Sequence, residues 1–266
     1  FGEVRSTLSQ FAARYIDLRL DKGDATVSFH GDTEVAQVAA RCRSGRYCWW
    51  GNRGDSIDST LTRSLDLSGL SEATLEFWTW FETERDWDYA YVEVSTDDGG
   101  TWTILEGRLT SSENPVGNNY GHGFTGTSGG WARERIDLSP YVGGEVLVRF
   151  EYITDDTVYR DGFVIDDVAV PEIGFFDDAE NDRGWQSEGF VRTDNVLSQE
   201  YLVQVIEIET DGQVTVKDLV LDKEKQGQLV IRGFGSTLEH AVIVLAPVTA
   251  GTHLPASYVL NIAPAE

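Results

Sequence analysis

The stretch Leu75-Glu76-Phe77-Trp78-Thr79-Trp80-Phe81 decides how the chain is read. Period-two alternation puts Phe77 and Phe81 on one face and Glu76, Trp78 and Trp80 on the other, so both faces are aromatic-rich. Such a strand suits a β-sandwich core, where large rings supply much of the buried area. The alternation recurs outward from it. It appears in Tyr89-Ala90-Tyr91-Val92-Glu93-Val94-Ser95 and in Glu145-Val146-Leu147-Val148-Arg149-Phe150-Glu151-Tyr152. A further run, Phe163-Val164-Ile165, leads into Asp166-Asp167-Val168-Ala169-Val170. Asp97-Asp98-Gly99-Gly100, Val142-Gly143-Gly144 and Asp211-Gly212 mark turns between strands. Only residues 5–14 leave room for a short helix, so the predicted fold class is all-β.

A second set of strands follows, chiefly Leu202–Ile208, Leu229–Ile231 and Ala241–Leu245. Pro171-Glu172-Ile173-Gly174 interrupts the pattern and reads as a boundary. The predicted organisation is an N-terminal arm or edge strand over 1–23, a jelly-roll sandwich over 24–172 and a smaller β-sandwich over 173–266. In the arm, Ile16, Leu18 and Leu20 alternate with Tyr15, Asp17, Arg19 and Asp21. That strand either edges the first sandwich or adds to the open sheet edge of another copy, which would build a filament or lattice.

The 266 residues include 45 acidic and 21 basic side chains, for a net charge of −24. That charge repels phosphate backbones and anionic lipid surfaces, which argues against nucleic-acid partners. No apolar run reaches membrane-spanning length, so no membrane insertion is expected. Met is absent and the chain starts at Phe1, which suits a piece of a longer precursor or a chosen fragment. Cys42 and Cys48 are the two cysteines, and in an acidic, Gly-rich, Lys-poor chain they predict one disulfide and a secreted or cell-surface location.

Ser95-Thr96-Asp97-Asp98-Gly99-Gly100-Thr101-Trp102 matches the Asp-box pattern S/T-x-D-x-G-x-T-W. Its Asp97 is expected to hold turn amides while Gly99 permits positive φ, Ser95 and Thr101 flank the turn, and Trp102 folds back on the hairpin. That pattern specifies a hairpin, not an activity. Trp49-Trp50-Gly51-Asn52-Arg53-Gly54-Asp55, Leu65-Asp66-Leu67-Ser68-Gly69, Asp86-Trp87-Asp88-Tyr89 and Gly162-Phe163-Val164-Ile165-Asp166-Asp167-Val168 extend the pattern. Together they resemble the non-catalytic C-terminal region of M6 metalloproteases of the immune inhibitor A family. The resemblance implies a MAM-like jelly roll followed by a further β-domain, secreted and acting beside an upstream protease domain of the precursor. It also implies calcium near the paired aspartates of the closing strand.

The family's H-E-x-x-H signature is absent, and His30, His122, His240 and His253 are scattered, so neither catalysis nor zinc is expected of this chain. No nucleophile elbow or phosphate loop occurs either. Hard cations take six to eight oxygens, which draws attention to the acidic loops and strand ends. The candidate calcium ligands are Asp167 first, then Asp166, with Asp88, Asp86, Asp155, Asp156 and Asp55 behind them. Asp166 and Asp167 are expected on opposite faces of one strand, one of them inward. Asp177-Asp178-Ala179-Glu180-Asn181-Asp182 reads as an acidic loop without EF-hand order. Eight tryptophans raise a carbohydrate-binding reading, but the alternation favours core. Partners in prospect are the protease domain, copies of the chain, glycans and cell-surface proteins.

Overall fold

The computed structural model describes residues 2–265. The chain forms two compact units, Ala40–Asn195 and a second built from residues 2–39 together with 196–265. The first unit is a sandwich of two antiparallel sheets. One sheet orders Ala132–Asp137, Thr74–Glu82, Gly162–Val170, Cys48–Trp50 and Val191–Thr193, with Phe175–Asp177 also paired to Gly162–Val170. The other orders Gln186–Glu188, Asp58–Asp66, Glu145–Ile153, Tyr89–Ser95 and Thr103–Ile104.

Between the sheets lies an aromatic core. Phe77 and Phe150 meet edge to face at 5.0 Å, and Phe124 lies 5.7 Å from Phe81 and 5.4 Å from Phe163. These are ring-to-ring distances at which aromatic pairs add to plain area burial. The central stretch behaves as the alternation requires for its phenylalanines, with Phe77 and Phe81 buried. Trp78 and Trp80 lie half-buried on the outer face, Trp78 under the Arg43 guanidinium at 4.3 Å.

The second unit has an aliphatic core. Gly2–Leu8, Ala256–Pro264, Gly23–Gly31 and Gln226–Phe234 lie side by side. Arg14–Leu18, Leu238–Pro247, Tyr201–Glu209 and Val214–Asp218 form the other half, joined to the first through the Phe234–Leu238 corner. Val27, Phe29 and Leu260 from one half and Val205, Ile243 and Leu245 from the other share one buried cluster. No helix among the described residues is long and apolar enough to cross a membrane.

Residues 5–14 hold no helix, because Gly2–Leu8 and Arg14–Leu18 are strands. These strands belong to the second sandwich, not the first. Ile16 sits opposite Ile243 and Leu18 opposite Ala241, while Leu20 packs on the same core beyond the strand end. The arm is thus paired within its own chain.

The boundaries also differ from 24 and 172. Gly23–Gly31 pairs with Gln226–Phe234 in the second unit, and Phe175–Asp177, Gln186–Glu188 and Val191–Thr193 extend the sheets of the first. Pro171–Ile173 is a single 3-10 turn ended by left-handed Gly174, a corner inside the first unit. Alternation identifies a strand, but its partner depends on contacts far away in sequence.

Candidate functional site

Among the buried carboxylates of the first unit, Asp166 and Asp88 are tied down by backbone amides. Asp166 lies within Gly162–Val170, fully buried. Its Oδ2 accepts the N–H groups of Arg43 (2.8 Å) and Ser44 (3.1 Å), and its Oδ1 that of Asp167 (2.8 Å). A β-bulge falls just past Asp166, with Asp167 at φ 51°. The bulge breaks the expected opposition of the two aspartates: Ser44 Oγ donates to Asp167 Oδ1 at 2.6 Å, so both reach the same loop. That loop is closed by the Cys42–Cys48 disulfide. Burial pushes the Asp166 carboxyl up to about 6, against the amide donors, which favour its charge.

Asp88 is the second of these amide-held carboxylates. Its Oδ1 accepts the N–H of Asp155 at 3.1 Å and its Oδ2 that of Glu84 at 3.4 Å. Burial, reinforced by the neighbouring Asp155 and Glu84 carboxylates, pushes it up to about 6. Asp86 is half-buried, and its N–H donates to Thr125 Oγ1 at 2.8 Å. Asp155 Oδ1 accepts the Thr157 N–H, while Asp156 and Asp55 are exposed. Arg53, of the tripeptide Arg53-Gly54-Asp55, is ion-paired to buried Asp161 at 3.0 Å.

The structure therefore brings Asp166 and Asp167 together and, separately, Asp88 and Asp155. Among the described residues no three His, Cys, Asp or Glu side chains converge as a metal-ligand group. The acidic stretch after residue 176 follows the amide-capping logic too. Asp177 accepts the Ala179 N–H and the Trp185 Nε1–H, and Glu180 accepts the amides of Arg46 and Tyr47.

The 95–102 turn is a closed hydrogen-bond ring. Asp97 accepts from the Thr101 N–H, the Ser95 hydroxyl and the Thr101 hydroxyl, and these bonds hold its carboxyl below the usual range. Gly99 (φ 86°) donates its N–H to Ser95 Oγ. Trp102 lies beneath the Arg149 guanidinium at 4.0 Å.

Sequence reasoning missed a cluster beside Asp88. Trp87, Tyr89, Tyr91, Asn118, Tyr120 and Asp155 line a cavity of about 160 Å³. Its organiser is Asn119, which is buried and bonds Ser111 O, Glu113 O, Gly121 N and the Tyr91 hydroxyl. Gly123 is required behind it, because a Cβ there would strike the Tyr89 ring at 2.7 Å and the Tyr91 ring at 2.9 Å. No motif marks these residues; the signal was the density of Tyr, Trp and Asn in 87–91 and 118–120.

The fold and its capped loops define a jelly-roll module of the MAM type. The family described as "Immune inhibitor A-like, MAM domain" matches residues 30–195, and the chain belongs to it. Pre-pro-metalloprotease PrtV of Vibrio cholerae serotype O1 is 30% identical over 151 residues, covering 56% of this chain and 16% of that protein. Immune inhibitor A of Bacillus thuringiensis subsp. alesti is 32% identical over 151 residues, covering 55% of this chain and 21% of its own. Bacillopeptidase F of Bacillus subtilis is 31% identical over 98 residues, or 37% of this chain and 6% of that one. The chain thus matches only a minor part of each of these relatives.

Proposed function

We propose that this chain is a non-catalytic, extracellular accessory region that works beside the catalytic domain of an M6-type metalloprotease. The family match over residues 30–195 carries this reading, since the matched relatives are named as a metalloprotease precursor and an immune inhibitor. The absence of H-E-x-x-H from the sequence supports it. The disulfide and the charge of −24 suit life outside the cell.

The test is hydrolysis of a denatured protein substrate by the purified chain, and by a relative's catalytic domain with the chain present or absent. The expected result is no cleavage by the chain alone and a changed kcat/KM when both are present. Intrinsic cleavage that survives purification would sink the reading. Calcium stabilisation belongs to the same proposal, with Asp166 and Asp167 as the carboxylates beside the disulfide loop. A thermal midpoint that EDTA leaves unchanged removes that part.

A further inference from the structure

The aromatic cavity beside Asp88 has the chemistry of a binding site that the family assignment does not explain. Its walls are fixed. The Tyr89 and Tyr91 rings lie 6.1 Å apart at 16°, and Tyr120 tilts toward Tyr91 at 6.2 Å. The Tyr91 hydroxyl is occupied, donating to Asn119 Oδ1 (3.2 Å) and accepting the Tyr120 N–H (3.1 Å). At the rim, Trp87 is 43% exposed and Tyr120 is 70% exposed, so large rings are held out in water by an ordered loop. A ring held there contributes little to the core and is free to cover a ligand.

Tyr89 is the independent sign of a missing partner. It is 1% exposed, it lines the cavity, and its hydroxyl has no hydrogen-bond partner among the described residues. Buried polar groups are nearly always paired, and an orphan asks for a ligand or another polar group. Two further residues that carry acceptor oxygens line the same cavity. Asn118 uses its amide nitrogen on the Trp87 carbonyl, which leaves Oδ1 free of that bond. Asp155 uses one carboxylate oxygen on the Thr157 N–H and keeps the other.

None of the cavity's lining residues is basic. Asp88 lies behind Asp155, bonded to its backbone N–H, and Asp86 and Glu113 are close enough to act on the Tyr89 hydroxyl. Three acceptors, aromatic faces and an anionic surround fit a primary ammonium, which has three donors and no acceptor. We propose that this cavity binds a lysine side chain of a polypeptide, with the ammonium on Tyr89 Oη, Asn118 Oδ1 and Asp155 and the aliphatic stem against Trp87 and Tyr120. This is a recognition function of the jelly roll itself, independent of whether a protease domain accompanies it.

The experiment is an NMR titration of the full ¹⁵N-labelled chain at low salt with EDTA present. The probe is Nα-acetyl-lysine methylamide, and its uncharged norleucine analogue is the control. Lysine is expected to shift the Trp87 indole and the amides of 87–91, 118–121 and 153–155, with norleucine at least about tenfold weaker. Tyr120→Ala should weaken the lysine probe about fivefold or more. Tyr89→Phe should weaken lysine severalfold and leave norleucine unchanged. Asp155→Asn, which keeps the side-chain shape, covers the case in which an aromatic variant fails to fold. Higher salt should weaken binding, because a partly exposed charge pair is screened.

Three results would overturn the proposal. One is an equal response to norleucine, which makes the cavity merely apolar. Another is a response of these residues to methyl glucoside or N-acetylglucosamine with none to lysine, which makes it a sugar site. The last is displacement of the lysine probe by calcium with EDTA omitted, which makes the acidic groups metal ligands. Binding at the named residues by lysine alone supports it.

Discussion

The two sandwiches reach stable cores by different routes. The jelly roll is one continuous segment, Ala40–Asn195, with a core of interlocked phenylalanines and loops pinned by buried aspartates. The other sandwich joins strands from both parts of the sequence around Val, Ile and Leu. A contiguous unit can hold its strands together through nearby turns, whereas a divided one depends on pairings across more than 200 residues, such as Gly2 with Ile262.

Deleting residues 1–22 tests that contrast hardest. It removes strands Gly2–Leu8 and Arg14–Leu18 and the core contacts of Leu8, Ile16, Leu18 and Leu20. Calorimetry should then lose the transition of the divided unit and keep that of the jelly roll, and protease should cut the former first. Survival of both transitions would show that these strands only decorate the sheet. Next in size is Phe163→Ala, which should lower jelly-roll stability by about 3–5 kcal/mol through a cavity among Phe81, Phe124 and Phe163. In denaturant titration the divided unit should not move, and a shared shift would mean that the two unfold together.

Replacing Cys42 and Cys48 by Ser should cost about 2–3 kcal/mol, again in the jelly-roll transition alone. The smallest effect is one of pH. Burial, with Glu93 beside it, pushes the Glu151 carboxyl up to about 7 despite Arg149. The folded state therefore holds this proton more tightly than the unfolded chain, whose glutamates titrate at about 4. The group's contribution is fully present below that value and is lost as pH rises through about 7. The jelly-roll midpoint should fall as pH rises from about 4 to 7, with Asp88 and Asp166 adding to the lower part of that slope, and Glu151→Gln should flatten its upper part. An unchanged slope in the variant would assign the pH response to other carboxylates.

The same contrast explains what the sequence revealed. The strand at 74–82, the closing strand at 162–170 and the hairpin at 95–102 were legible because alternation and turn chemistry are local. The allegiance of Gly23–Gly31 and Arg14–Leu18 was not, because an amphipathic strand looks the same whichever sheet it joins. Asp166 and Asp167 were found as a pair, but the bulge after Asp166 defeats simple counting of faces. The cavity around Tyr89 was invisible because its residues come from separate segments that converge only through Asn119.

The divided sandwich also sets a timetable for synthesis. As the ribosome makes the chain from its N-terminal side, Gly2–Leu8 emerges before the jelly roll, but its partner Ala256–Pro264 emerges only after it. The jelly roll can close as soon as residue 195 is out, while the early strands still lack neighbours. Any factor that holds nascent or exported chains has a long task here, shielding Ile16, Leu18 and Phe29 until the strands after residue 195 arrive.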